Sequence, residues 1–458
     1  MKLSRCQVSA PVRAIPEIRF EEQGETTLTS YAGLVIFQKL FGAIGLHERL
    51  RRCFQHVDCK GAAFPLPRLA LVLIVHFLVG FRRLRDLEYY HDDPVVLRTV
   101  GLSQMPDVST ISRGLRKVDE RGVTELRTLS RDLVMARLKE NAITRVTLDF
   151  DGSVFSTGRH AEGTAVGFNK EKKGARSYYP LFCTVAETAQ IFDLLHRPGN
   201  VHDSNGAFYF VSDAVLRAKK LHPALRLETR MDAAFFSEPL LDELNAQGVE
   251  FTVSTPFARF PELKNVIETR WRWNHEEEFS WAEIDWRPKS WVTDFRILIT
   301  RTAQKVRQKG PLQLDLFEPV SYEFTYKAII TNKTQVARKV VRFHHGRGAQ
   351  EAIFAEAKSN IGMDYVPVKT LYGNQMYCLA AVISHNLYRE IEMRSREPER
   401  GTTEKRSPQW IFESIRCLRQ RVVQRAGRLI WPQGRLTLVM GSNRQVREDL
   451  TRLLAAAA

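Results

Sequence analysis

Four acidic residues at separate points of the sequence could together support metal-dependent phosphoryl transfer. Asp149 and Asp151 lie two residues apart in an alternating segment, and Asp232 directly follows a segment that is predicted to be a strand. Glu351 lies far along the chain, in a segment with helical spacing. Two-metal cleavage of a phosphodiester needs carboxylates that converge from separate parts of a chain, and hard oxygen ligands select Mg²⁺ or Mn²⁺. The acids are therefore candidates for such a site.

Each acid taken alone also has an ordinary structural explanation, because strand ends meet solvent and tolerate charge. Asp151 precedes Gly152 and Ser153, a turn that would leave its carboxylate at the open end of a strand. We therefore prefer Asp151 as the metal ligand and keep Asp149 as an alternative or supporting ligand.

A stripe of polar residues surrounds Glu351. His344, Arg347, Glu351 and Lys358 follow one another at intervals of three, four and seven residues. This is the spacing of one helical face. A glutamate flanked by cationic residues is the arrangement expected of a metal ligand whose neighbours bind DNA phosphates. A surface ladder of ion pairs has the same spacing and is the alternative.

The segments around the acids predict an α/β fold. Val146, Leu148 and Phe150 alternate with polar residues, a period of two that is typical of a strand. Further strands are predicted at 179–186, 191–196, 225–231 and 251–253, with helices starting near 203 and at 237. A hairpin-led sheet followed by alternating helices and strands is the layout of the ribonuclease-H-like fold. That layout places acids at the ends of its first and fourth strands, where Asp151 and Asp232 fall.

The flanking segments predict further regions. Helical spacing covers residues 28–140, where Ser30 could cap a helix, and strand-like runs with several tryptophans lie within 256–342. Residues 394–407 are rich in charge and predict a linker or solvated loop. We therefore expect a helical N-terminal DNA-binding domain (1–140), a ribonuclease-H-like catalytic core (141–255 and 343–393), a β-rich insertion subdomain (256–342) and a small, basic, helical C-terminal region (394–458).

Two clusters of basic residues are candidates for DNA contacts. One lies in a predicted loop after the first core strand, and the other lies on a predicted helix after Pro106. Their members are Lys170, Lys172, Lys173 and Arg176 in the loop, and Arg113, Arg116 and Lys117 on the helix. A recognition helix and a solvated helix face explain the second cluster equally well. For the loop cluster, a solvated loop is the default explanation. A nearby metal site that acts on DNA favours contact with the DNA backbone instead.

The composition favours a cytoplasmic protein with a polyanionic partner. The 458 residues exceed one ordinary domain. Lys and Arg total 68 against 52 Asp and Glu, which gives a net charge of +16. Such an excess favours nucleic acid, although anionic membranes also attract basic proteins. The longest apolar run, 69–81, is shorter than the ~20 residues that a membrane span needs. Scattered cysteines fit a reducing compartment, and we expect a nucleoid-associated location without membrane contact.

The sequence resembles one family in several motifs. Arg347-x3-Glu351-x6-Lys358 is similar to the Tyr-x2-Arg-x3-Glu-x6-Lys signature of DDE transposases of bacterial insertion sequences, with His344 where the signature has Tyr. Other stretches resemble the insertion-sequence 1380 family, and the similarity extends from about residue 28 to 440. These stretches are 29–33, 109–113, 148–154, 167–169, 177–181, 197–204, Asn374 and 385–387.

The resemblance implies a function and a set of site residues. Asp151, Asp232 and Glu351 would be the catalytic triad around two Mg²⁺ ions, for which Mn²⁺ could substitute. The protein would bind the terminal inverted repeats of its element, cleave at the ends and join the 3′-hydroxyl to target DNA. Pairing of two ends implies a homodimer on double-stranded DNA. Arg347 and Lys358 would hold the DNA backbone, and the His344 imidazole could also donate to it.

Two alternatives to an active transposase remain open. The chain could be a related nuclease that cuts without joining, or an inactive descendant that only binds DNA. The intact set of three acids argues against the inactive descendant, because decay should remove at least one carboxylate. Nothing in the sequence separates the nuclease from the transposase.

Overall fold

The computed structural model describes residues 27–58, 61–167, 169, 172–201, 205–305 and 322–458. Among these residues, every helix is too short or too polar to cross a lipid bilayer.

The N-terminal part of the described chain is helical, as predicted. Its helices are α1 (Leu34–Ala43), α2 (Leu46–Cys53), α3 (Leu66–Val79), α4 (Pro94–Val100), α5 (Val108–Leu115) and α6 (Glu120–Glu140). The predicted cap at Ser30 is wrong, because α1 begins after Gly33. The Ser30 N–H donates instead to the Asp93 carboxylate, at 2.9 Å.

The remaining helices lie between and after the strands. They are α7 (Ala207–Leu221), α8 (Glu238–Ala246), α9 (Pro261–Glu268), α10 (Ala337–His345), α11 (Ala349–Glu356), α12 (Leu371–Ser395), α13 (Ile415–Leu418) and α14 (Arg444–Ala456). The predicted long helix from 374 to 393 is confirmed as α12. It packs against α3, α6 and β7 at the centre of one hydrophobic cluster.

The strands form one large sheet and two small ones. They are β1 (Leu28–Thr29), β2 (Arg145–Gly152), β3 (Phe155–Thr157), β4 (Ala165–Val166), β5 (Arg176–Tyr178), β6 (Leu181–Val185), β7 (Gln190–Leu195), β8 (Arg226–Met231), β9 (Glu250–Thr255), β10 (Asn274–His275), β11 (Ser280–Ile284), β12 (Arg296–Lys305), β13 (Tyr322–Thr331), β14 (Gly427–Ile430) and β15 (Thr437–Met440). The large sheet has the order β10-β11-β12-β13-β9-β8-β2-β6-β7.

The directions of the central strands agree with the predicted layout. Strands β2, β6 and β7 are antiparallel neighbours, whereas β8 and β9 run parallel to β2 and are reached through α7 and α8. The protein is therefore a mixed α/β structure. The strands of the segment 256–342 do not form a sheet of their own, because β13 pairs with β9 and extends the central sheet.

Helices cover both faces of this sheet, because alternate residues of a strand point to opposite sides. Val146, Leu148 and Phe150 of β2 pack with α7 and α8 in one hydrophobic cluster. On the other face, Phe182 and Ile191 join α11 and α12 in a second cluster. The polar residues of β2 therefore point toward the face that carries α11 and α12.

The segment 396–413, named here the strap, returns to the sheet after α12. The sequence predicted a linker or solvated loop over 394–407, and for Arg406 this prediction is wrong. Arg406 is buried and donates to Glu228 at 2.8 and 3.0 Å. Lys333 donates to the same carboxylate at 2.7 Å. Arg406 of the strap and Lys333 therefore together neutralise a buried acid of β8.

This pairing predicts a stability cost for removing Arg406. Burial alone raises the pKa of Glu228, but the bonds of Arg406 and the charge of Lys333 lower it to about 2. We expect Arg406→Ala to lower the free energy of unfolding by about 3 kcal/mol at pH 7, because it leaves a buried carboxylate partly uncompensated. Urea denaturation measures the change. Arg400→Ala removes an exposed arginine of the same strap and should change stability by less than about 0.5 kcal/mol.

Candidate active site

Two parallel strands present Asp151 and Asp232 side by side. Strands β2 and β8 pair in a register that sets Asp149 opposite Arg230 and Phe150 opposite Met231. The next pair along the strands is Asp151 and Asp232. Asp232 follows β8 directly and accepts a hydrogen bond from the Ala234 N–H at 3.0 Å. Both carboxylates therefore emerge at the carboxyl ends of parallel strands, a common place for ligand sites in α/β proteins.

A buried ion pair lies beneath the two carboxylates. Arg230 Nε and Nη2 donate to the two carboxylate oxygens of Asp149 at 2.5 and 2.6 Å, and both side chains are buried. Burial raises the pKa of Asp149, and the charge of Arg230 opposes that rise. This bidentate geometry uses both oxygens of Asp149. It favours a supporting role for Asp149 over the alternative of a metal ligand.

The same arginine connects the strands to two other parts of the chain. Arg230 Nη1 donates to the carbonyl of Phe343 in α10 at 3.0 Å and to that of Lys405 in the strap at 2.6 Å. A β-carbon at position 346 would overlap both the Lys405 carbonyl and the Arg230 guanidinium. Only glycine fits at 346, and the turn that carries Arg347 can therefore lie directly against the ion pair.

The electrostatics at Asp151 are unfavourable for a bare carboxylate. Burial raises its pKa to about 6, and the negative charge of Asp232 contributes, while the charge of Arg347 opposes the rise. Arg347 Nη1 donates to Asp151 Oδ2 at 2.8 Å, and the Gly152 N–H donates to Asp151 Oδ1 at 2.8 Å. A pair of close, partly buried carboxylates is the arrangement that gains most from added positive charge.

The helical segment with the predicted polar stripe lies against β2, but it is not one continuous α-helix. After α10, a 3₁₀ turn (Gly346–Gly348) leads into α11, and a π-helical turn (Ala357–Ile361) follows. Gln350 is fully buried and donates to the Asp149 carbonyl at 2.8 Å. Lys358 Nζ donates to the Val154 carbonyl at 3.2 Å. These two bonds fix α11 beside the end of β2.

Glu351 lies one helical turn beyond Arg347 and is exposed. It lines a cleft of about 420 Å³ together with Arg347, Gly348, Tyr326 and Lys327. Within the described ranges, no group of three or more His, Cys, Asp or Glu side chains is arranged to hold a metal ion. The structure thus brings Asp151 and Asp232 together and leaves Glu351 beside Arg347, outside a closed three-carboxylate arrangement.

His344 is placed differently from the prediction of a DNA contact. It is 5% exposed, and its ring nitrogens lie 2.9 Å from Ser254 Oγ and 3.0 Å from Thr252 Oγ1, both on β9. Burial lowers its pKa well below the ordinary value, so the ring is neutral at pH 7. In this structure His344 anchors α10 to the sheet, and its ring nitrogens are engaged by hydroxyls and not directed to the surface.

The predicted basic clusters are only partly at the surface. Lys172 and Lys173 are exposed, whereas Arg176 lies in β5 and its guanidinium donates to Thr164. Lys170 lies outside the described residues, as do His202 and Asp203 of the neighbouring loop. Arg113, Arg116 and Lys117 are all exposed at the end of α5. Helix α5 packs onto α3 through Ile111 and Leu115, so these basic residues lie on its outward face.

Sequence reasoning missed Arg230, Gly346 and Gln350, which position the carboxylates. Arg230 is two residues before Asp232, as Asp149 is two residues before Asp151. An arginine inside a predicted central strand needs a buried counter-charge, and that signal could have identified the pair. Nothing local in the sequence indicates the role of Gly346, because its neighbour Lys405 comes from the strap.

Comparison with known proteins identifies the family. A family model described as "Transposase DDE domain group 1" matches residues 11–457, and the chain therefore belongs to this family of DDE transposases. It is accordingly an enzyme of DNA strand cleavage and strand transfer. Enzymes of this class use divalent metal ions. A search of curated proteins gave no match.

Solved transposase structures show limited similarity. A cryo-EM structure of the piggyBac transposase synaptic complex with hairpin DNA matches at 12% identity and a TM-score of 0.36, over 86% of this chain and 80% of that chain. A crystal structure of the Mos1 mariner paired-end complex with Mn matches at 13% identity and a TM-score of 0.17, over 37% and 56% of the two chains. TM-scores of this size establish no shared fold, so the family assignment depends on the family model.

The raised pKa of Asp151 predicts that its charge destabilises the metal-free protein. The folded state holds a proton on Asp151 between the ordinary value of 3.8 and about 6, whereas the unfolded state does not. Stability therefore falls as the pH rises through this window, by up to about 3 kcal/mol. We expect Asp151→Asn to raise the free energy of unfolding by about 1–3 kcal/mol at pH 7.5 in EDTA, and to give almost no gain at pH 4.

Urea denaturation at both pH values measures this difference, with Asp149→Asn as the matched control. That change leaves Arg230 buried without its carboxylate, so it should destabilise the protein at pH 7.5 by several kcal/mol. A variant Asp151→Asn that is less stable than the wild type at pH 7.5 would contradict the electrostatic argument.

Proposed function

We propose that this transposase serves a bacterial insertion sequence of the 1380 family. It binds the terminal inverted repeats of its element, cleaves at the ends and joins the 3′-hydroxyl to target DNA. The observation that carries the proposal is the pair of Asp151 and Asp232 at the ends of parallel strands, with the segment of Glu351 packed beside them. The order and directions of β2, β6, β7, β8 and β9 support a ribonuclease-H-like core, as the sequence motifs imply.

The donor set fits a hard divalent cation such as Mg²⁺ or Mn²⁺. Two carboxylates share a partly buried edge, and burial together with the negative charge of Asp232 raises the pKa of Asp151. Two bound ions would activate the attacking water or 3′-hydroxyl and stabilise the leaving oxygen. Asp151, Asp232 and Glu351 would together hold these ions. Because Glu351 is exposed and beside a cleft, it must move toward the carboxylate pair to do so.

The chain's own residues perform the remaining work. Only the deprotonated carboxylate of Asp151 can serve as a metal ligand, so its proton must leave before a cation binds. Arg347 and Lys358 hold the phosphate backbone next to the scissile bond, as charge-assisted donors. The buried Asp149–Arg230 pair keeps the carboxylates at a fixed spacing and excludes water from beneath them. DNA binding away from the site involves Arg113, Arg116, Lys117 and the exposed lysines at 172 and 173.

The first test separates a transposase from a nuclease and from an inactive relative. The full chain is incubated with Mg²⁺, a target plasmid and a duplex that ends in the element's terminal repeat with a free 3′-hydroxyl. Joined product identifies a transposase of that element. Cleavage without joining identifies a nuclease, and binding without cleavage identifies an inactive descendant; either of these results contradicts the proposal.

The second test concerns Glu351. We expect Glu351→Gln to lower the cleavage rate by on the order of 100-fold or more, because it removes a carboxylate ligand of a metal ion that would stabilise the developing charge. Binding of the terminal-repeat duplex should stay within about twofold, since the change is isosteric. Glu277→Gln, at an exposed glutamate outside the site, is the control and should cleave at the wild-type rate. Persistent cleavage in Glu351→Gln would mean that the third carboxylate has been misassigned.

The third test concerns the basic end of α5. The triple variant replaces Arg113, Arg116 and Lys117 with Gln. We expect it to reduce the slope of log affinity against log salt concentration by up to about 3, since each phosphate contact contributes about 0.9 to that slope. Filter binding or fluorescence anisotropy at several salt concentrations measures the slope. Lys139→Gln, at an exposed lysine of α6, should leave it unchanged. An unaltered slope in the triple variant would favour a solvated helix face.

A further inference from the structure

We propose that Arg347 is an internal gate for the metal site: it occupies Asp151 in the absence of DNA, and a DNA phosphate opens the site by drawing it away. The inference rests on the proposed function, because it requires Asp151 to be a metal ligand. It goes further by coupling metal loading to DNA binding through one side chain.

The first observation is that both oxygens of Asp151 already have partners. Arg347 Nη1 contacts Oδ2 at 2.8 Å, and the Gly152 N–H contacts Oδ1 at 2.8 Å. The side chain of Asp151 is 18% exposed and that of Arg347 is 21% exposed. A cation that approaches Asp151 therefore competes with the Arg347 guanidinium for Oδ2.

The second observation is that Arg347 has room to leave. It lies in the 3₁₀ turn between Gly346 and Gly348, and it lines the 420 Å³ cleft that also contains Glu351. Gly348 is exposed, and a β-carbon there would meet no other atom. The backbone on the C-terminal side of Arg347 is thus open to solvent, and its side chain can turn outward without displacing the core.

The third observation is chemical. A guanidinium binds phosphate with the same bidentate geometry that it uses for carboxylate. A phosphate of bound DNA next to the site therefore competes with Asp151 for Arg347. When Arg347 moves to the phosphate, Asp151 and Asp232 lose their nearby positive charge and their repulsion favours a divalent cation. By linkage, DNA then strengthens metal binding and the metal strengthens DNA binding by the same factor.

The alternative is that Arg347 adds only general positive charge. Lys358 provides the matched comparison, because it belongs to the same stripe and its ammonium donates to the backbone carbonyl of Val154 at 3.2 Å. If general charge controls metal binding, Arg347→Gln and Lys358→Gln should act alike. If the gate operates, only the change at 347 should matter in the absence of DNA.

The experiment measures Mn²⁺ affinity, by electron paramagnetic resonance or calorimetry, for the full chain with and without a terminal-repeat duplex. Without DNA, we expect Arg347→Gln to bind Mn²⁺ about 5- to 10-fold more tightly than the wild type. Lys358→Gln should differ by less than about twofold. DNA should tighten Mn²⁺ binding of the wild type by a similar factor and should have little effect on Arg347→Gln. Arg347→Lys, which keeps a cation with fewer donors, should lie between them.

Equal or weaker Mn²⁺ binding by Arg347→Gln without DNA would overturn the gate while leaving the proposed function intact. Absence of Mn²⁺ binding from the wild type and Arg347→Gln alike, with and without DNA, would refute the metal site itself and the gate with it. Thermal unfolding in EDTA shows that the variants are folded. Should Arg347→Gln fail to fold, the intermediate affinity expected of Arg347→Lys decides the question.

Discussion

The arrangement of the site depends on one interaction, the buried pair between Arg230 and Asp149. It lies at the centre of the sheet, where two parallel strands meet the helical segment above them. A guanidinium has five donors in a fixed plane, and Arg230 uses them for a carboxylate of β2, a carbonyl of α10 and a carbonyl of the strap. Four separate stretches of chain therefore converge on one side chain. The positions of three side chains follow from that convergence. Asp151 lies two residues after Asp149, Asp232 lies two residues after Arg230, and Arg347 lies in the turn that follows α10.

The same region shows an opposition between stability and function. The lower pair, Asp149 and Arg230, is matched in charge and fully enclosed. The upper pair, Asp151 and Asp232, is of like charge and is only partly compensated by Arg347. A fold selected for stability alone would not place two carboxylates at adjacent strand ends. In the proposed function, the imbalance at the upper pair is what favours cation binding at this edge of the sheet.

Periodicity and charge in the sequence were sufficient to predict the central strands, the helix-linked order, α12 and the two strand-end acids. These features depend on contacts within a segment or between neighbouring segments. The contacts that could not be predicted join distant segments. The strap looked like a solvated linker because it is rich in charge, whereas Arg406 in fact pairs with Glu228, 178 positions away in the sequence. Likewise, the spacing of His344, Arg347 and Glu351 indicated one exposed face. The 3₁₀ turn at 346–348 rotates these positions, so that His344 is buried, Arg347 contacts Asp151 and Glu351 faces solvent.

The attachment of the strap to the sheet has a consequence for biosynthesis. The ribosome completes β2 and β8 long before it adds residues 405 and 406, which supply an acceptor for Arg230 and a counter-charge for Glu228. Until that part of the chain emerges, the centre of the sheet contains an incompletely bonded guanidinium and an under-neutralised acid. The carboxylate edge can thus reach its final geometry only after residues 405 and 406 have emerged from the ribosome. A polypeptide that ends before residue 405 would therefore lack the acceptor and the counter-charge that complete the centre of this sheet.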